Sequence, residues 1–227
     1  MSPSQQIPFD FDHRPALGGA DFLVAPCNQG AVGWIDRWPD WTAPVLCVSG
    51  APGSGKTHLG QAFLAKAGGE RGAKTLDLVR LGDGSDVLLA EAGAWFLDDA
   101  ERLVTEGYEE AFFHLYNAAL AAGAHILLAA SRPPAKWDFG LADLASRLKA
   151  APAVEIGTPD DALLSALLVK LFYDRQLKVD TDVVAYMIPR MERSFAAAQA
   201  LVEAVDRAAL AGGRRITVPL VRGVMDK

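Results

Sequence analysis

"GAPGSGKT", residues 50–57, fits the pattern G-x-x-x-x-G-K-[ST] at every fixed position. Its setting matters as much as its letters. The apolar run "VLCVSG" (45–50) leads into it as a buried strand, and residues 56–68 leave it with helical periodicity. Gly50, Gly53 and Gly55 permit backbone conformations that turn successive N–H groups toward one anion. The helix that follows offers its positive end to the same charge. Within the loop, Lys56 is placed to neutralise β/γ oxygens and the Thr57 hydroxyl to ligate Mg²⁺, with Ser54 and His58 as flanking contacts. A strand–glycine loop–helix of this kind is a nucleoside-phosphate site.

The neighbouring sequence supplies a fold for it. "AKTLDLVRL" (73–81), "AWFLDD" (94–99), "HILLAAS" (125–131) and "AVEIG" (153–157) read as further strands. Their near-continuous apolar runs suit a parallel sheet covered on both faces. Helical patterns at 107–122 and 138–149 alternate with them, as a βαβ succession requires. "AWFLDD" ends in carboxylates where a parallel strand would bring Asp98 toward the metal and Asp99 toward a γ-phosphate, to orient water. By itself such a pair also reads as a turn that caps the next segment. After "GTPD" (157–160) strand signals stop. Thr158 reads as a helix cap with Pro159 at the first position, and helices follow over 159–176, 181–191 and 193–211, with a short last one after "TVP" (217–219). The expected division is a tail at 1–21, a nucleotide-binding core at 22–158 and a helical lid at 159–227.

Composition narrows the function classes. The chain has 227 residues, 51% of them hydrophobic, ample for a core. A formal net charge of −6 repels nucleic acid, so little direct binding to it is expected. Cys27 and Cys47 are too few for a disulfide framework or zinc site and read as reduced thiols. No apolar stretch reaches the ~18 residues of a membrane span and no signal peptide is visible, so the expected compartment is the cytoplasm.

At this point the motifs resemble a family. "GKTHL" (55–59), "FLDD" (96–99) and "RPP" (132–134) look like the AAA+ core of the bacterial replication initiator DnaA. "DFLVAPCNQGAV" (21–32) is similar to that family's adenine-pocket segment, which places Phe22, Val24 and Asn28 at the base. "LYNAALAAG", "FGLADLASRL" and "RRITVPLVRGVM" resemble the Hda family of short DnaA homologues, over about residues 5–226. The resemblance implies an α/β AAA+ core with a five-stranded parallel sheet and a small α-helical lid, holding ADP or ATP with Mg²⁺. It puts Arg147 in the arginine-finger place, although from the residues alone this is a helix-surface arginine off the apolar stripe. It puts Arg193 in the sensor 2 place, with Arg190 as the rival one turn earlier. It also makes "QIPFDF" (6–11) a sliding-clamp peptide, with Gln6, Ile7, Phe9 and Phe11 as contacts. Those aromatics would otherwise be free to staple the tail onto the protein's own core.

The departures from the pattern are informative. Ser131 stands where AAA+ ATPases often carry asparagine or aspartate to position water, and Asp99 replaces the usual glutamate, which implies at most weak ATP hydrolysis by this chain. Only 12 residues (82–93) separate the strand 73–81 from the strand 94–99, shorter than the initiator's DNA-engaging insertion, and the sequence closes directly after the lid. The function implied is negative control of replication initiation. The protein would dock on DnaA and on the DNA polymerase III sliding clamp (its β subunit) and stimulate hydrolysis of DnaA-bound ATP, with room for a homo-oligomer. The alternatives are a nucleotide-dependent loader or adaptor and a P-loop small-molecule kinase.

Overall fold

The computed structural model describes residues 13–14, 22–69, 72–213 and 215–226, with side chains from 23 onward. His13–Arg14 (β1) and Phe22–Leu23 (β2) form a two-stranded sheet. The main sheet has five strands: Val45–Gly50 (β3), Ala73–Thr75 (β4), Ala94–Leu97 (β5), His125–Ala130 (β6) and Ala153–Ile156 (β7). They run in the order β4-β5-β6-β3-β7, and every neighbouring pair is parallel. This is the expected five-stranded α/β architecture. By packing, Pro26–Gly157 forms one compact unit, and Thr158 onward with Leu23–Ala25 forms another.

Both faces of the sheet are buried, which is why the strands read as unbroken apolar runs rather than alternating ones. Successive residues serve opposite cores. Val45, Cys47, Trp95, Leu97, Ile126 and Leu128 face a cluster with Leu103, Phe112, Leu115, Leu144 and Leu148. Leu46, Val48, Phe96, Leu127 and Ala129 face a second cluster with Ile35, Trp41, Leu59 and Phe63. The first cluster draws on helices Arg102–Thr105 (α4), Glu109–Ala122 (α5) and Ala142–Ala150 (α6), and on Ser85–Glu91 (α3) through Leu88. The second draws on Gln29–Asp36 (α1) and Lys56–Ala67 (α2).

One contact between α2 and the sheet leaves no room for a side chain. A Cβ on Gly60 would run into three ring atoms of Phe96. Gly60→Ala is therefore expected to destabilise, because overpacking of about 1–3 kcal/mol outweighs the ~1 kcal/mol that alanine adds to a helix. A thermal melt should fall by several degrees, at roughly 2–4 °C per kcal/mol for a chain of this size. Adding Phe96→Leu should recover part of the loss. An unchanged melting temperature in Gly60→Ala would show that α2 does not sit on that ring.

Several boundaries differ from those read in the sequence. The run 73–81 is a strand only as far as Thr75, and Leu78–Asp83 is a 3-10 segment. The Asp77 carboxylate accepts the Val79 N–H at 3.1 Å, a local bond that takes the backbone out of the ladder. Leu78 and Leu81 are buried from that turn, at its three-residue period. The strand over 94–99 stops at Leu97, and Asp98–Asp99 belong to the turn. In the second unit the first helix is Asp161–Asp174 (α7), capped by Asp160, whose carboxylate accepts the Leu163 N–H at 2.8 Å, rather than by Thr158. Thr181–Met187 (α8) passes into a 3-10 turn through Pro189, which cannot donate the next helical bond. Phe195–Gly212 (α9) starts at Ser194, whose hydroxyl accepts the Ala197 N–H, and stops at Gly213 with φ 56°. Val218–Met225 (α10) closes the unit. Among the described residues no helix is long and apolar enough to cross a membrane.

Candidate nucleotide site at the carboxyl edge of the sheet

In this sheet order β3 lies between β6 and β7, while the chain leaving β3 runs through α2 to the far edge at β4. Strand order therefore reverses at β3, and ligands of open α/β sheets sit outside the carboxyl ends at such a point. The register brings the ends of β3, β6 and β7 within one residue of one another, and β5 stops two residues short of the end of β6. Gly50 pairs with Ile156, Ser49 with Ala130, and Leu97 with Leu128. The phosphate loop, Asp98 and Ser131 follow directly from those ends.

The loop is built as its glycines imply. Gly53 has φ 70° and Gly55 φ 93°, both in the left-handed region that an L side chain resists. Gly50 has no space either, since a Cβ there would meet Ser54 Oγ at 2.7 Å and the Ile156 carbonyl at 2.8 Å. The Lys56 ammonium donates to the carbonyls of Gly50 at 2.8 Å and Ala51 at 3.0 Å, so it folds back over the loop's mouth. Ser54 Oγ is buried with no hydrogen-bond partner among the described residues. Thr57 Oγ1 donates to Asp98 Oδ2 at 2.6 Å across 41 residues of sequence. His58 is exposed on the first turn of α2.

These donors fit a nucleotide and its metal. The loop's N–H groups, the start of a twelve-residue helix and an ammonium are the groups that would meet polyphosphate oxygens. A threonine hydroxyl and a carboxylate in contact make a hard, oxygen-only pair. Among the described residues no cluster of three or more His, Cys, Asp or Glu gathers around a metal position. Mg²⁺ asks for less than that, because phosphates and water complete its octahedron.

Other expected site residues distribute as follows. Asp99 is exposed, with φ 47°, and its own N–H is held by Asp98 Oδ1 at 3.0 Å. Ser131 is exposed at the end of β6. Asn28 is buried, 1% accessible, and leads into α1, while the carbonyl of Cys27 accepts the Gly157 N–H at 2.9 Å. That bond ties the 26–28 segment to the end of β7, beside the phosphate-loop strand. Val24 is half-buried and belongs to the other unit, and the side chain of Phe22 lies outside the described residues. So do Gln6, Ile7, Phe9 and Phe11 of the expected clamp peptide.

The arginines differ in how their charge is met. Arg147 on α6 lies over two rings of α5, with its Cζ 5.1 Å from the centroid of Phe113 and 5.4 Å from that of Tyr116. Among the described residues no carboxylate lies within ion-pair distance of it. Arg193 instead pairs with Asp161 at 2.6 Å in the lid, both side chains more than half exposed. Such a surface pair contributes about 0–1 kcal/mol and is easily exchanged for another anion. Arg190 stacks 4.0 Å over Tyr186 and donates to its carbonyl.

Glu101 is a site residue that the sequence reading missed. Its Oε1 accepts the Ser131 backbone N–H at 2.9 Å, and its Oε2 is buried with no hydrogen-bond partner among the described residues. Burial raises the carboxyl's pKa, but hydrogen bonds from Ser131 and the charge of Lys56 outweigh it and leave the group below the usual range. The signal available in sequence was a third acidic residue three positions after Asp98. Spacing of that kind is common at helix starts and pointed nowhere by itself.

Sheet order, phosphate loop and carboxylate strand end define a P-loop α/β fold followed by a helical unit. Residues 161–225 match the family model of the Hda lid domain. Domain III of the Thermotoga maritima replication initiation protein DnaA superposes with TM-score 0.77 at 15% identity, over 90% of this chain and 93% of that one. AMPPCP-bound DnaA from Aquifex aeolicus gives 0.68 at 21% identity, over 84% of this chain and 65% of that one. The Thermotoga maritima RuvB Holliday junction branch migration motor gives 0.64 at 16% identity, over 88% and 66%. The chain thus carries a segment that matches the Hda lid domain on a fold shared with domain III of DnaA.

Proposed function

We propose that this protein is a nucleotide-bound regulator of replication initiation that acts on DnaA, stimulating hydrolysis of DnaA-bound ATP while tethered to the DNA-loaded sliding clamp. The observation that carries the reading is the match of residues 161–225 to the lid of Hda, on a chain whose fold is that of DnaA's AAA+ domain. Nucleotide, ADP or ATP with Mg²⁺, is held by this chain's own loop: the N–H groups of 53–57 and Lys56 take the phosphates, and Thr57 and Asp98 take the metal. Asn28, with Val24 and Phe22, receives the base, and Arg193 of the lid takes the sensor 2 role. Asp99 and Ser131 stand at the γ-phosphate side of this site.

Arg147 acts on the partner's nucleotide. An arginine finger needs a guanidinium that is charged, accessible and not already neutralised. Arg147 meets that description, since aromatic faces hold it and no carboxylate among the described residues does. The docking partner is DnaA–ATP, and the activity is hydrolysis at DnaA's own site. The deciding experiment measures hydrolysis of DnaA-bound ATP with this protein, clamp and DNA, omitting each in turn. No stimulation in the complete mixture would end the reading.

The tether is Gln6–Phe11. Gln6 makes polar contacts at the rim of a clamp pocket while Ile7, Phe9 and Phe11 supply apolar anchors, and Pro8 lowers the entropy lost on ordering. Buried aromatic anchors commonly cost more than ~2 kcal/mol when truncated. Gln6→Ala combined with Phe9→Ala and Phe11→Ala should abolish clamp binding in a surface-resonance assay with little change in melting temperature. A large fall in melting temperature with clamp binding retained would assign the segment to the protein's own core.

A further inference from the structure

We infer that Glu101 is a positioning residue of this chain's own nucleotide site, setting the orientation of the Ser131 hydroxyl at the end of β6. The inference rests on the reading of the 50–57 loop as a nucleotide site and goes beyond it by adding a residue that no P-loop motif contains. Two observations carry it. Glu101 Oε1 takes the Ser131 backbone N–H at 2.9 Å, which pins the end of β6 to the turn that follows β5. Its other oxygen is buried and has no partner among the described residues.

A buried carboxylate oxygen without a donor carries its full desolvation cost. The Ser131 hydroxyl belongs to the residue already bonded to this carboxylate, and it rotates about its Cβ–Oγ bond at little cost. Turning the hydroxyl proton onto Glu101 satisfies the orphan oxygen and directs the lone pairs of Ser131 Oγ outward, toward the phosphate-loop side of the sheet edge. There they accept a hydrogen bond from water. A serine alone is an indifferent orienter, able to donate or accept, whereas a serine whose proton is committed to a carboxylate can only accept.

The proton balance is simple. Glu101 stays ionised throughout and exchanges no proton. Water adds to the γ-phosphoryl group, the bond to the departing ADP oxygen breaks, and both of the water's protons leave with the phosphate product. The group's charge is what the role needs, and the neighbouring Lys56 helps to keep it.

The experiment uses the full chain and four forms: wild type, Glu101→Gln, Ser131→Ala and the double variant. Single-turnover hydrolysis of the chain's own ATP should be slow in wild type. It should fall roughly tenfold to a hundredfold in each single variant, as expected for a misplaced reacting water. The double variant should lose no more than Ser131→Ala alone, because Glu101 acts through Ser131. ADP affinity by calorimetry should stay within about twofold in all four, which separates failure of this inference from failure of the nucleotide site itself. A nucleotide-free readout accompanies them: the Ser131 amide proton, bonded to a charged acceptor, should resonate downfield in wild type and move upfield in Glu101→Gln. Additive losses, an unchanged rate in Glu101→Gln, an unmoved amide resonance, or no turnover at all in wild type would each overturn the assignment.

Discussion

Arg147→Ala should keep its fold, its ADP and its clamp binding, and should lose stimulation of DnaA-bound ATP hydrolysis by a factor of ~10³ or more. A guanidinium at a transferring phosphoryl group stabilises charge that develops only in the transition state, and such fingers are worth ~10³–10⁵ in rate. The structure supplies an internal control on the same helix. Lys149, two residues on, is likewise a cation near a ring, with its Nζ 5.7 Å from the centroid of Phe139. Lys149→Ala should change stimulation by no more than the ~1 kcal/mol of an exposed cation–π contact. A loss shared equally by both variants would mean that α6 acts as a charged surface rather than through one finger. Loss of this protein's own ADP in Arg147→Ala would place the arginine in cis. Full stimulation by Arg147→Ala would remove it from the mechanism.

The main sheet was legible because its strands are buried on both faces, so each apolar run stands out against helices with polar sides. Boundaries were less legible, and for local reasons. Thr75 ends β4 two residues before Asp77, whose carboxylate bonds back to Val79, a choice between strand and turn that composition does not announce. Helix Gln29–Asp36 was absent from the sequence reading. Asn28 makes no side-chain cap to it, and its first turn lacks an acidic residue, so neither usual start signal is present.

The site divides along the same line. The loop residues and Asp98 were legible because few residue types meet their constraints: a positive φ at Gly53 and Gly55, no space for a Cβ at Gly50, an ammonium at Lys56 and hard oxygens at Thr57 and Asp98. Gly60 beneath Phe96 was not legible, because the close approach depends on two residues 36 apart in sequence meeting across a sheet. Glu101 was missed for the same reason. Its meaning comes from Ser131, which the parallel register brings beside it and the chain does not.

Lys56→Ala should weaken ADP binding by roughly thirtyfold to several thousandfold, the range for removing one member of a hydrogen-bonded charge pair. The geometry makes this lysine costly to replace. Its ammonium holds the carbonyls of Gly50 and Ala51, so truncation removes both the charge that meets the phosphates and a brace of the loop that presents their N–H partners. Thr57→Ala tests the other half of the site. It removes the hydroxyl that contacts Asp98 at 2.6 Å, and it should lower affinity mainly when Mg²⁺ is present, leaving the metal-free value nearly unchanged. Lys66→Ala is the control, since Lys66 lies in the last turn of the same helix and donates to the Asp36 carbonyl, away from the loop. Calorimetry with and without Mg²⁺, alongside circular dichroism, separates the three. Equal ADP affinity in Lys56→Ala and wild type would move the nucleotide away from this loop, and with it the reason for the fold to place Asp98, Ser131 and Glu101 at one edge.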